Sequence, residues 1–95
     1  MPIIFEKKEN RKRGIIYIAC GNDLMFVYKR GNLGWNVRTC DYIASDGLPG
    51  GTKELVIEGC STRSAAIVQA EAALLEKAGY DWMDIEIEYQ KGVYL

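Results

Sequence analysis

Three kinds of residue in this 95-residue chain carry enough chemistry to suggest a function: cysteines, a run of cations and a stripe of carboxylates. Cys20, Cys40 and Cys60 bring thiols, but no two have the CxxC spacing of a zinc or redox site, and an odd number does not close into a disulfide framework. Each sits in or beside an apolar run, where a free cysteine acts as a small hydrophobe. All three are therefore expected to be reduced and mostly buried, as in a cytoplasmic protein. The chain has no histidine, which removes the commonest general base and the commonest metal ligand. A Ser or Cys nucleophile would need Lys, Asp or Glu as activator, and neither GxSxG nor SxxK is present. The expectation is a protein that is not an enzyme and holds no metal or cofactor.

The cations are Lys7, Lys8, Arg11, Lys12 and Arg13, interrupted by Glu6 and Glu9. Gathered on a hairpin tip, they could grip phosphates or an acidic protein surface. A solvated tip that keeps sheet edges apart has the same composition, and no aromatic residue interleaves the cluster to stack on bases. The carboxylates are Asp84, Glu86 and Glu88, which alternate with Ile85, Ile87 and Tyr89 and so line one face of a strand. They could dock a basic partner or mimic a nucleic-acid backbone. Cross-strand pairing with Lys29, Arg30 or Arg38 would instead neutralise them. Gly47–Lys53 is rich in glycine, but a strand follows it where a phosphate cradle needs a helix, so it reads as a flexible connection. Trp35, beside a turn, and Trp82, after the helix, are candidate interface anchors, with core packing as their ordinary role.

The elements that must hold these residues are mostly strands. Pro2–Phe5 reads as a first strand, 6–14 as a charged connection, and Ile15–Cys20 as a second strand. Gly21-Asn22 and the Gly/Asn turn at 31–34 flank a third strand from Leu24. A fourth strand begins at Trp35, and 44–52 reads as a loop. A short strand follows from Lys53. Ser61 or Thr62 can cap a helix start, strong helix formers follow, and Gly79 is a C-terminal stop, which predicts a helix over Thr62–Ala78. The order β-β-β-β-β-α-β predicts a single α+β domain over 1–95. Its N-terminal meander belongs to an antiparallel sheet of five to six strands, and one helix packs on a sheet face. This order, with an Ala-rich helix opening on Ser/Thr, is similar to that of HicB-like antitoxin domains. No specific motif is shared, and no function is carried across.

Charge is unevenly distributed. Residues 1–40 hold eight Lys/Arg against three Asp/Glu, and residues 41–95 hold four against ten. The overall charge of −1 gives no general attraction to nucleic acid or membrane. No stretch approaches the roughly 20 apolar residues of a membrane span, and the N-terminus lacks a signal-peptide core.

Ile15–Cys20 and Leu24–Tyr28 are apolar at nearly every position, the pattern of strands covered on both faces, while one helix covers one. On the helix, Val68, Ala72 and Leu75 widen the apolar stripe of Ala66, Ile67, Ala70, Leu74 and Ala78. This surplus predicts a non-enzymatic protein-interaction module, a homodimer, acting on a macromolecular partner. Its contacts would come from Lys7, Lys8, Arg11, Lys12, Arg13, Trp35, Val68, Leu75, Trp82, Asp84, Glu86 and Glu88. Small α+β proteins of this build occur among phage and mobile-element inhibitors, anti-CRISPR proteins included, which is an analogy of fold and not of site. The alternatives are a nucleic-acid-binding protein using 7–13 and a small enzyme or ligand-binding domain.

Overall fold

The computed structural model describes residues 3–79 and 87–91. It is an α+β fold. Strands β1 (Ile3–Asn10), β2 (Ile15–Cys20), β3 (Asp23–Lys29) and β4 (Trp35–Cys40) form the meander. A two-stranded ribbon follows, β5 (Tyr42–Ile43) and β6 (Pro49–Gly50), then β7 (Leu55–Cys60), helix α1 (Arg63–Ala78) and β8 (Ile87–Lys91). The main sheet has the order β7-β4-β3-β2-β1-β8. Every pairing in it is antiparallel except β1 with β8. That exception follows from the helix. β7 runs in the same direction as β1, α1 returns the chain, and β8 then re-enters parallel to both.

Helix α1 starts and stops where its sequence says. Thr62 is in extended conformation, and its hydroxyl accepts a 3.1 Å hydrogen bond from the Ala65 N–H. That bond satisfies one of the helix's orphan donors. Gly79 adopts φ +78°, a left-handed cap that costs an L side chain and suits glycine. The helix lies over β2, β3, β4 and β7. Ala66, Ala70, Leu74 and Leu75 are buried against Phe5, Ile16, Ile18, Met25, Val27 and Val37. The small alanines bring the helix close, so Leu75 is wholly covered and belongs to this core. Its expected role as a contact residue is thereby corrected.

The opposite sheet face is covered by the chain itself. Residues 41–54, which read as the end of the fourth strand, a loop and the start of a short strand, fold back as a strap over that face. Asp41 N–H donates to the Gly50 carbonyl, and Ala44 N–H to the Leu48 carbonyl. Thr52 N–H donates to the Asp41 carboxylate at 2.8 Å. Ile43 and Leu48 pack on Ile15, Tyr17, Phe26 and Cys40, a second, smaller core. At its far end the Gly47 carbonyl accepts from the Tyr17 hydroxyl (2.6 Å) and from Asn10 Nδ2 (3.0 Å). Gly51, at φ +83° with Asp41 where a Cβ would go, needs glycine, and at Gly50 the exposed Tyr42 ring lies where a Cβ would go. The continuous apolar runs of β2 and β3 do mean two covered faces, but the second cover is this strap. The surplus that predicted a partner is accounted for within one chain on this face. Large apolar side chains that stay exposed, Ile4, Leu33, Tyr42, Leu55 and Val68, come from different elements, and single exposed hydrophobes are ordinary surface.

Candidate functional site

The first strand is longer than its apolar start suggested. It continues through Asn10, with Lys7 opposite Ile18 and Lys8 opposite Tyr17. Strand alternation then splits the cation run. Lys7 turns to the helix side, where its ammonium lies 3.1 Å from Glu71 of α1. Lys8 turns to the strap side and meets Glu6 at 3.5 Å. Only Arg11, Lys12 and Arg13 stay on the turn, all exposed. The five-cation tip is therefore corrected to three cations on the tip and two in the strand.

The turn cations have neighbours from elsewhere in the chain. Asn10 pairs with Ile15, Ile16 with Val27, Lys29 with Trp35, and Trp35 with Cys60. This row fixes one end of the sheet. Alternate connections of a meander share an end, so the β1–β2 turn, the β3–β4 connection and the start of α1 come together. Arg11, Lys12, Arg13, Lys29, Arg30 and Arg63 lie at that end, and all six are exposed. The carboxylates near it are Glu9, which holds Arg63 at 3.1 Å, Glu58 and Asp46. At the other end the β2–β3 turn, the foot of β4 and the helix C-terminus bring together Asp23, Asp41, Glu54 and Glu76, with Lys53 and Lys77 between them. Lys77 pairs with Asp23 at 3.7 Å. Of the ion pairs that join the two halves of the sequence, Lys7–Glu71 offsets their opposite net charges, while Arg63–Glu9 and Lys77–Asp23 pair the minority charge of each half.

Just below the basic end, beside the strap, is a polar aromatic cluster. Arg38 Nε donates to the Tyr28 hydroxyl at 2.9 Å, and Asn36 Nδ2 donates to it at 3.4 Å. Arg38 also donates to the Lys53 carbonyl. The buried Asn36 accepts from the Gly59 N–H at 3.0 Å. The Tyr28 ring stacks on Phe26, centroids 5.3 Å apart. Burial alone would raise the Tyr28 phenol. The hydrogen bonds from Asn36 and Arg38, with the charges of Arg38 and Arg30, outweigh it and hold the phenol below its usual range. A cleft of about 330 Å³ walled by Arg30, Leu33, Asn36, Glu58 and Gly59 adjoins this cluster.

Two more clefts, of about 350 and 380 Å³, flank the strap at the acidic end and share Asn22, Asp23, Leu24 and Asp41. Their walls are largely carboxylates, amides and hydroxyls, unlike the mostly apolar wall of a ligand pocket. Cys40 lines one of them, but burial, with Asp41 adding to it, pushes its thiol up to about 11, a poor nucleophile. Among the described residues no group of three metal-ligating side chains comes together.

Of the other sequence candidates, Val68 is 56% exposed on α1. Trp35 is half-buried and packs on the helix-side core, so it is not a free anchor. Trp82, Asp84 and Glu86 lie outside the described residues. Glu88 falls in β8, at the register of Ile4. β8 borders β1, so the strands that carry Lys29 and Arg38 are not its neighbours in the sheet. Lys29, Arg30, Arg63 and the Tyr28–Arg38 pair were missed as site residues. The parity of the meander was the signal that could have joined the first two to the 11–13 turn. Among the described residues no helix is long and apolar enough to cross a membrane. No family model, no curated protein and no solved structure matches this chain.

Proposed function

We propose that this chain is a non-enzymatic binding protein that works by occupying a surface of a macromolecular partner, with its basic end as the contact surface. One observation carries this: exposed cations from three separate segments, 11–13, 29–30 and 63, are brought to one end of the sheet by its register. A charge layout of this kind steers a partner of opposite sign toward one orientation. Burial raises the thiols of Cys20 and Cys40, which suits packing and not nucleophilic work. Blocking a surface by occupancy is also how phage and mobile-element inhibitors act, and a role of that class is consistent with this proposal. A second copy of the chain is not needed for it, since the sheet face that suggested a homodimer lies under the strap.

Retention on a heparin column tests the contact surface. The wild-type protein is expected to be retained at low salt, and Arg11→Glu/Lys12→Glu/Arg13→Glu to flow through. Absence of wild-type retention would overturn the proposal.

A further inference from the structure

We infer that the partner is a single-stranded nucleic acid laid across the basic end, its phosphates on Arg11–Arg13 and Arg30 and a base against Tyr28. This rests on the reading of the basic end as a contact surface and names its ligand.

Spacing comes first. The 11–14 turn and the β3–β4 connection are two inter-strand spacings apart, ~10 Å. That distance is on the scale of the separation of neighbouring phosphates in an extended strand, so one short single strand reaches both. Side-chain type comes second. Four of the six cations are arginines, whose planar fork matches two oxygens of a phosphate. Third, a stacked aromatic with hydrogen-bonding groups around it lies next to the cations. Tyr28, backed by Phe26 and hydrogen-bonded by the part-exposed Arg38, offers what an unstacked base uses, aromatic contact and a guanidinium edge. A duplex keeps its bases stacked and would leave this cluster idle. An acidic protein is the poorer fit, because protein interfaces centre on buried apolar anchors. At this end the only large exposed hydrophobe among the described residues is Leu33. The acidic far end repels phosphate and so orients the approach.

Fluorescence anisotropy on the full chain tests this, with labelled oligo(U) and oligo(dT) strands, a mixed-sequence duplex and labelled poly-glutamate as probes. The single strands are expected to bind at low salt. Binding should weaken as salt rises, with a log–log slope of about −3 for four phosphates contacted. Arg30→Glu and the triple 11–13 reversal are each expected to weaken binding about tenfold or more, and Tyr28→Leu several-fold. Far-ultraviolet circular dichroism shows whether each variant is folded. Arg11→Gln and Arg30→Gln serve as milder variants if a reversal unfolds the chain. Poly-glutamate bound and single strands ignored would overturn the inference and leave the binding-protein reading standing. Preference for the duplex would likewise overturn the single-strand assignment. Single-strand binding indifferent to every one of these variants would overturn the assigned surface. No binding of any polyanion would overturn both.

Discussion

The ammonium of Lys7 in β1 lies 3.1 Å from the carboxylate of Glu71, whose side chain is only 9% exposed in the middle of α1. The pair adds a charged tie between the helix and β1, which meet also through Phe5 in the core, and Arg63 and Glu9 repeat the link one end up at 3.1 Å. Breaking a buried pair by removing one partner costs more than replacing both, because the survivor keeps its desolvation penalty. Lys7 is 35% exposed, so solvent tempers that cost. Lys7→Met is expected to destabilise by about 1–3 kcal/mol, and Lys7→Met/Glu71→Leu by less than the single change. Urea denaturation of the two variants measures this, and a double variant worse than the single would contradict it.

Leu75 and Val68 were indistinguishable as surplus apolar residues on a helical wheel, yet one is fully buried and the other 56% exposed. Leu75→Ala should cost about 2–5 kcal/mol from lost burial and a cavity. Val68→Ala should stay within about 0.5 kcal/mol. Equal losses in thermal denaturation would show that α1 sits at a different rotation.

The strap is held at its tip by two buried donors, the Tyr17 hydroxyl and Asn10 Nδ2. Tyr17→Phe removes one donor to the Gly47 carbonyl, which Asn10 still serves, so a loss of about 1 kcal/mol is expected. Gly51→Ala, at a left-handed position facing Asp41, should cost more. Hydrogen exchange at Asp41 and Ala44, whose N–H groups donate to the Gly50 and Leu48 carbonyls across the ribbon, reports loosening of the strap. Protection unchanged in both variants would mean the strap is held by something else.

Alkaline stability has a defined sign. Burial raises the Tyr17 phenol from 10 to about 12, with the charges of Cys40 and Asp46 adding to it, and raises the Cys40 thiol from 9 to about 11. In both groups the folded state holds its proton longer than the unfolded chain does. Stability is therefore complete below about pH 9 and falls between about 9 and 12, as the unfolded form releases protons that the folded form keeps. Tyr17→Phe is expected to flatten the upper part of that fall. A denaturation midpoint that rises over this range would contradict the burial of both groups.

The thiols should also differ in access. Cys20 and Cys40 are buried and Cys60 is half-buried, so a thiol reagent at neutral pH is expected to label Cys60 first and to reach the other two only on unfolding. Rapid labelling of all three would be inconsistent with either core.

Much of the fold was legible because local and tertiary signals agree in its middle. Gly21-Asn22 and the glycines at 31 and 34 mark the turns, and Thr62 and Gly79 bracket the helix. EKKEN has no apolar alternation, so the sequence shows the first strand only as far as Phe5. The strand state of that segment comes from pairing with Ile15–Ala19 and from partners on α1 and the strap, which no local pattern encodes. The strap was hidden for a related reason, since only Ile43 and Leu48 in it are apolar enough to signal packing. The candidate site was half legible: 11–13 is contiguous and visible, whereas Lys29, Arg30 and Arg63 join it only through sheet register.

A backbone amide titration by nuclear magnetic resonance, adding an unlabelled oligo(U) strand to the folded protein at low salt, maps the contact surface directly. Shifts are expected at 11–13, 28–30, 38 and 63, with 22–23, 41 and 54 unmoved. Shifts centred on the acidic end or around Val68 would contradict the basic end as the place where this protein meets its partner, and no shifts at all would contradict a single strand as that partner.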